Sequence, residues 1–152
     1  SGTSPVLAGT SALALARALR AGDVLALDGE LGAGKTVMVA ALARALGHDG
    51  PVRSPTFTII NVYQDISLCH VDAYRLDGAD ELVEAGVEEY LDGGWICAVE
   101  WAGRVRAALP ERTMDVEIRF GEGEDDRLVA VTPRGDWGSR TEEILSELRR
   151  HA

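Results

Sequence analysis

Residues 29–36 read Gly-Glu-Leu-Gly-Ala-Gly-Lys-Thr and fit the pattern G-x-x-x-x-G-K-[ST]. No other segment constrains the fold as much, because this pattern works only where a buried strand feeds a tight turn that opens a helix. Both flanks meet the demand. Residues 23–28 (DVLALD) are short and apolar, as a buried strand is, and residues 35–46 (KTVMVAALARAL) predict a helix ended by Gly47. Gly29, Gly32 and Gly34 let the backbone curl with its N–H groups turned inward, and Glu30, Leu31 and Ala33 complete the loop. The positive end of the helix then faces a phosphate. Lys35 is expected to reach the β- and γ-phosphates of a nucleotide as a point charge, and Thr36 to offer its hydroxyl to Mg²⁺. A chance match in a chain of this length is roughly one in 200. Of the 15 basic residues, Lys35 is the only lysine and the rest are arginine. Lysine is therefore kept where a compact charge fits and a planar guanidinium does not.

The rest of the chain reads as mixed α/β. Residues 11–21 predict a helix capped by Thr10 or Ser11, with Leu15 and Leu19 four apart. Residues 56–63 and 66–71 predict a hairpin, 79–91 one or two short helices broken at Gly86, and 95–99 a short buried strand. A helical turn is expected over 104–109, two late strands over 114–120 and 127–132, and a closing helix over 140–150 with Ser139 and Glu142 as a capping box. The expectation is one domain over residues 1–152. Its parallel core is built around the first strand–loop–helix, with antiparallel additions and flanking helices. No repeat or linker divides it.

Composition narrows the function. The 152 residues carry 15 basic against 25 acidic side chains, a net charge of −10, which argues against a stand-alone nucleic-acid clamp. No apolar run approaches ~18 residues and no basic-then-apolar leader is seen, so a cytoplasmic protein away from the membrane is expected. Cys69 and Cys97 sit in apolar runs and read as two buried thiols.

A phosphate-binding loop needs an acidic partner at the end of a neighbouring strand. Two carboxylates qualify: Glu100 after WICAV, and Asp72 after SLCHV. The Asn-Lys-x-Asp pattern that reads guanine needs a second lysine, and the chain has none, so either adenine is favoured over guanine or the base is read loosely.

Taken together, these residues resemble the TsaE (YjeE) family, the small ATPase of bacterial tRNA threonylcarbamoyladenosine synthesis. The matching pieces are the loop at 29–36, then Arg53-Ser54-Pro55-Thr56-Phe57-Thr58, His70-Val71-Asp72-Ala73-Tyr74-Arg75-Leu76, the segment from Glu81 to Gly86, and Glu100-Trp101. The resemblance spans roughly residues 10 to 110 and implies a P-loop NTPase-like fold that binds ATP and Mg²⁺. By position it implies a switch-like loop at Ser54-Pro55-Thr56 near the γ-phosphate. Asp72 would sit by the metal or the attacking water, and Glu100 would be the acidic metal ligand alongside Thr36. Lys35, Asp72 and Thr56 are then the catalytic candidates. His70 reads more simply as a satisfied histidine, and Trp101 as a residue packed near the site. Thr10, Ser11 and a loop at 132–135 are the candidates for an adenine pocket. The family role implies work with TsaD and TsaB, with tRNA met only through that complex. One departure is Val37, where many members carry a second hydroxyl residue. A small-molecule kinase and a non-hydrolysing nucleotide-dependent interaction module are the alternatives.

Overall fold

A short strand that is apolar on both faces is stable only when other strands pair with it on both sides, and the Val24–Leu27 stretch of β2, buried throughout, is such a segment. A computed structural model of the chain describes residues 4–30, 32–53, 58–120 and 127–150. The order of elements is β1 (Ser4–Leu7), α1 (Ala8–Ala18), β2 (Val24–Gly29), α2 (Lys35–Ala45), β3 (Ile60–Tyr63), β4 (Leu68–Asp72), α3 (Ala79–Glu84), α4 (Glu88–Leu91), β5 (Ile96–Glu100), β6 (Thr113–Phe120), β7 (Arg127–Arg134) and α5 (Arg140–Arg150). The strands form one seven-stranded sheet in the order β1-β7-β6-β2-β5-β4-β3. Strand β2 lies parallel to both β5 and β6, β4 lies parallel to β5, and β3, β7 and β1 add on antiparallel. This mixed sheet, with a strand–loop–helix unit at its centre and helices on its faces, is the P-loop NTPase-like arrangement expected from the sequence.

Alternation along the strands divides the core in two. Leu25, Leu27, Leu68, Ala98, Met114, Val116 and Val129 face one side, where Leu15 of α1, Leu42 of α2 and Ile144 of α5 cover them. Val24, Ala26, Cys69, Val71, Cys97 and Val99 face the other, under Leu76, Leu82, Val87 and Val105. The two cysteines are register partners on β4 and β5, buried and free, as their apolar surroundings imply.

Three expectations need correcting. Helix α1 starts at Ala8, so Thr10 and Ser11 lie in its first turn and are not its cap. Strand β1, unforeseen, pairs with β7 and delivers the chain to the helix early; sheet pairing outranks the local capping preference. The segment 132–135 is not a loop: Thr132–Arg134 complete β7, with Thr132 opposite Asp115 and Arg134 opposite Thr113. Met114 is the partner of Leu25, so residues 132–134 lie at the end of the sheet away from the phosphate loop and do not build a nucleotide pocket there. By contrast Leu7 pairs with Leu128, itself opposite Arg119, next to the Gly29–Ile118 pair; the start of α1 therefore shares the loop's end of the sheet. The first strand of the hairpin is also shorter than expected. It begins at Ile60, and a single 3-10 turn at Gln64–Ile66 with Ser67 at φ 51° joins it to β4.

At the far end of the sheet one carboxylate ties three segments together. Asp23, 1% exposed, accepts from the Arg140 guanidinium at 2.7 and 2.9 Å, from Arg112 at 3.3 Å and from the Arg20 backbone N–H at 2.8 Å. Trp137 lies against the same two guanidinium groups, 4.6 Å from Arg112 and 5.1 Å from Arg140. Removing one partner from such a buried ion pair strands the other charge, at a cost of about 3–5 kcal/mol. Asp23→Ala is therefore expected to lower unfolding stability by about that amount, measured as a shift in the urea midpoint; a loss below about 1 kcal/mol, as for a surface pair, contradicts the brace.

Candidate active site

The loop after β2 is shaped by glycines that no other residue replaces. Gly29 has φ 155°, and a Cβ there would run into the Ile118 carbonyl of β6. Gly34, at φ 107°, is the left-handed residue that caps α2. Between them the turn is closed by the Ala33 N–H donating to the Glu30 carbonyl at 3.0 Å. Leu31 lies outside the described residues, and Gly32 has φ 81°.

Lys35 opens α2 and is almost fully buried. Its Nζ donates to the carbonyls of Gly29 at 2.8 Å and Glu30 at 2.9 Å, and lies 4.0 Å from the centroid of the Trp101 ring. Burial lowers the Lys35 pKa from its ordinary value, and Glu100, Asp28 and Asp72 offset part of that effect electrostatically. The ammonium is thus held at the loop by weak neutral acceptors and a ring face, with its charge uncompensated by any direct ion pair among the described residues. A phosphate group would supply the missing anion.

Thr36, the next residue, donates its hydroxyl to Glu100, 2.8 Å from Oε2 and 3.1 Å from Oε1. Glu100 ends β5, is 3% exposed, and stands opposite Leu27 in the register with β2. Its Oε2 also lies 2.6 Å from Nε2 of the fully buried His70. Asp72 ends β4 as the register partner of Glu100, so the two carboxylates leave the same face of adjacent parallel strands. Asp72 accepts from the Tyr74 N–H at 3.0 Å. Hydroxyl and carboxylate oxygens are the hard donors that suit Mg²⁺, which keeps several waters and takes only one or two protein carboxylates. Thr36 and Glu100, with Asp72 beside them, fit that ion. Among the described residues no group of three or more His, Cys, Asp or Glu could hold a metal by itself.

The structure therefore brings Lys35, Thr36, Glu100 and Asp72 to one corner. Ser54, Pro55, Thr56 and Phe57 lie outside the described residues. Their flanks are placed: the Arg53 carbonyl accepts from the Asn61 amide at 3.3 Å, Thr58 donates to Asn61 at 2.9 Å, and the Ile59 carbonyl accepts from the Asp72 N–H at 2.9 Å. The chain at Ile59 thus lies beside Asp72. Val37 is 71% exposed and presents only methyls.

Sequence reasoning undervalued the turn after β5. Trp101 adopts φ 59°, rare for a side chain of its size. That turn lays its ring under Lys35 and against Tyr74, 5.0 Å between centroids, with the Arg104 guanidinium 5.5 Å from the Tyr74 ring and 5.7 Å from the Trp101 ring. The rings and the cation come from two strand ends, so no linear pattern marks Arg104. No helix among the described residues is long and apolar enough to cross a membrane.

Comparison with known proteins finds relatives of one family. The family model described as threonylcarbamoyl adenosine biosynthesis protein TsaE matches residues 7–129. The tRNA threonylcarbamoyladenosine biosynthesis protein TsaE of Bacillus subtilis (strain 168) is 42% identical over 132 residues, which cover 86% of this chain and 80% of that protein. The protein of the same name from Streptomyces coelicolor is 38% identical over 141 residues, covering 87% and 95%. Among solved structures, Bacillus subtilis YdiB aligns with a TM-score of 0.76 at 33% identity, over 99% of this chain and 96% of that one.

One further carboxylate belongs to the corner. Asp28, the residue before the loop, lies on the other face of the sheet and accepts from the Gly103 N–H at 3.3 Å, which pins the turn carrying Trp101 and Arg104. Burial raises its pKa above 3.8, and the Gly103 N–H and the Arg106 charge only partly offset this. A folded-state pKa above the unfolded value means that the contribution to stability is fully present below pH 3.8 and is lost as pH rises through the folded pKa. At neutral pH the ionised Asp28 therefore opposes folding. Asp28→Asn keeps an acceptor for Gly103, and its Tm is expected to exceed that of the unchanged chain at pH 7. The gap should close as pH is lowered toward 3.8; a difference in Tm that does not vary with pH contradicts the assignment.

Proposed function

The chain belongs to the TsaE family, and from that premise we propose that it binds ATP with Mg²⁺ and hydrolyses it by in-line attack of water on the γ-phosphate. The observation that carries this reading is the convergence of Lys35, Thr36 and Glu100, from a loop and a separate strand end, on one corner of the sheet. The backbone N–H groups of Gly29 to Thr36, with Glu30, Leu31, Gly32, Ala33 and Gly34 between, cradle the phosphates. Lys35 exchanges its two carbonyl acceptors for β- and γ-phosphate oxygens, a stronger charge-assisted pair. Thr36 and Glu100 would hold Mg²⁺, which when bound would supply positive charge to the phosphates. Asp72, on the same face and one strand over, orients the attacking water, and Thr56 joins it from the 54–57 segment. Thr10 and Ser11 remain the candidates for contact with adenine, since α1 starts at the loop's end of the sheet.

In the cell this activity serves threonylcarbamoylation of adenosine 37 of tRNA. ATP turnover by this cytoplasmic chain resets a complex of TsaB and TsaD, which holds the tRNA and makes the transfer. The chain's charge of −10 supports that division, because a carrier of tRNA on its own would need a basic surface.

Lys35→Ala removes a charge-assisted contact worth about 1.5–3 kcal/mol, so ATP is expected to bind about 10- to 100-fold more weakly with an unchanged circular dichroism spectrum. Glu100→Gln should raise the Mg²⁺ concentration needed for nucleotide binding, whereas Asp72→Asn should slow hydrolysis at nearly unchanged binding. Mg²⁺ titrations and single-turnover hydrolysis measure both; like behaviour of the two variants contradicts the division of roles. A wild-type rate in the Lys35 variant sinks the site.

The second expectation concerns activation. Arg53 and Arg75 are the only arginines inside the family motifs, and neither makes an ion pair among the described residues. A P-loop enzyme without an aligned cation can run ~10³-fold or more below its activated rate. Steady-state phosphate release should therefore be slow for the chain alone and rise steeply with purified TsaB and TsaD; equal rates would contradict partner activation.

A further inference from the structure

His70 does more than fill space. It is fully buried on β4, on the face where the strand otherwise presents Leu68 and meets Ala98 of β5 in register. Apolar side chains suit that position better, because burying an imidazole sets two polar nitrogens in the core. One of them, Nδ1, has no hydrogen-bond partner among the described residues. The other, Nε2, reaches diagonally past the small Ala98 side chain to Oε2 of Glu100, two residues further along β5, at 2.6 Å. The ring's single polar contact is therefore with the carboxylate that also receives the Thr36 hydroxyl.

We propose that His70 is a positioning residue for the metal-binding carboxylate: its Nε2–H holds Oε2 of Glu100 and so presents the carboxylate beside Thr36. This rests on the reading of Glu100 as a Mg²⁺ holder. The physical need is plain. A glutamate has three rotatable bonds, and a carboxylate freed into several rotamers loses order that must be restored each time an ion binds. A donor fixed inside the sheet restores it in advance. Outer hydrogen bonds of this kind are worth about 10- to 100-fold in metal affinity or activity. The strand geometry serves the same end. His70 and Asp72 are two residues apart on β4 and share a face, so one strand supplies both the group that orients Glu100 and the second carboxylate of the corner.

The experiment measures binding of N-methylanthraniloyl-ADP by fluorescence, in EDTA and across a Mg²⁺ titration, for the full chain and for His70→Leu, His70→Gln and Glu100→Gln. The glutamine amide nitrogen can stand where Nε2 stands, whereas leucine has no donor. The expected result is a Mg²⁺ half-saturation raised about 10- to 100-fold in His70→Leu, with metal-free affinity unchanged, and recovery to within about threefold in His70→Gln. Parallel loss of metal-free and Mg²⁺-dependent affinity in both variants, or no change in His70→Leu, overturns the proposal. If Glu100→Gln itself leaves half-saturation unchanged, the metal reading has failed rather than the role of His70. Because His70→Leu can also misfold, the imidazole ¹⁵N signals of the unsubstituted chain provide a separate test. A proton on Nε2 whose resonance moves when Mg²⁺ is added to the ADP-bound chain supports the proposal. A proton on Nδ1 alone overturns it.

Discussion

The parallel pairing of β2 with β5 is the contact on which the rest depends. It sets Leu27 opposite Glu100, so the strand that feeds the phosphate loop and the strand that carries the acidic side chain end together. The loop turns back over that end, α2 begins there, and Thr36 in its first turn meets Glu100. Parallel neighbours need a long crossover, and the chain between β2 and β5 uses its crossover to add the β3–β4 hairpin. The hairpin brings Asp72 and His70 to the same corner. A slip of one residue in this register would turn Glu100 and His70 to the opposite face and disperse the set.

Burial explains why the corner is chemically unusual. Lys35, His70 and Glu100 are nearly or fully out of solvent, yet each keeps a hydrogen-bond partner in a neighbouring group. Charged groups kept this way are costly without ligand, because the ammonium of Lys35 faces carbonyls and a ring rather than an anion. Surrounding structure bears that cost: two apolar layers flank the sheet, and the Asp23 network locks its far end.

Most of the architecture was readable in one dimension. Short apolar runs, glycine at turns and helical spacing marked β2, α2, β4, β5 and the last hairpin within a few residues, because those signals are local. The edge strand β1 was not readable. Four residues, including Pro5, carry no strong strand pattern, and only pairing with β7 makes them a strand. The same pairing moved the start of α1 and so removed Thr10 and Ser11 from the cap. The 132–135 segment was misplaced for a related reason: its polar and glycine residues look like a loop, but the ladder with β6 runs through Arg134.

Residue types and their order determined the phosphate loop, the single lysine within it, the two candidate carboxylates and the family to which the motifs point, since each is a matter of chemistry at fixed spacing along the chain. Only the tertiary structure decided which carboxylate meets Thr36, that His70 touches Glu100 rather than merely occupying the core, and that Trp101 and Arg104 gather at Lys35. Those relations join residues 30 to 70 positions apart. No local preference encodes them; they follow from strand register and from the left-handed turn at Trp101, which the folded sheet alone imposes.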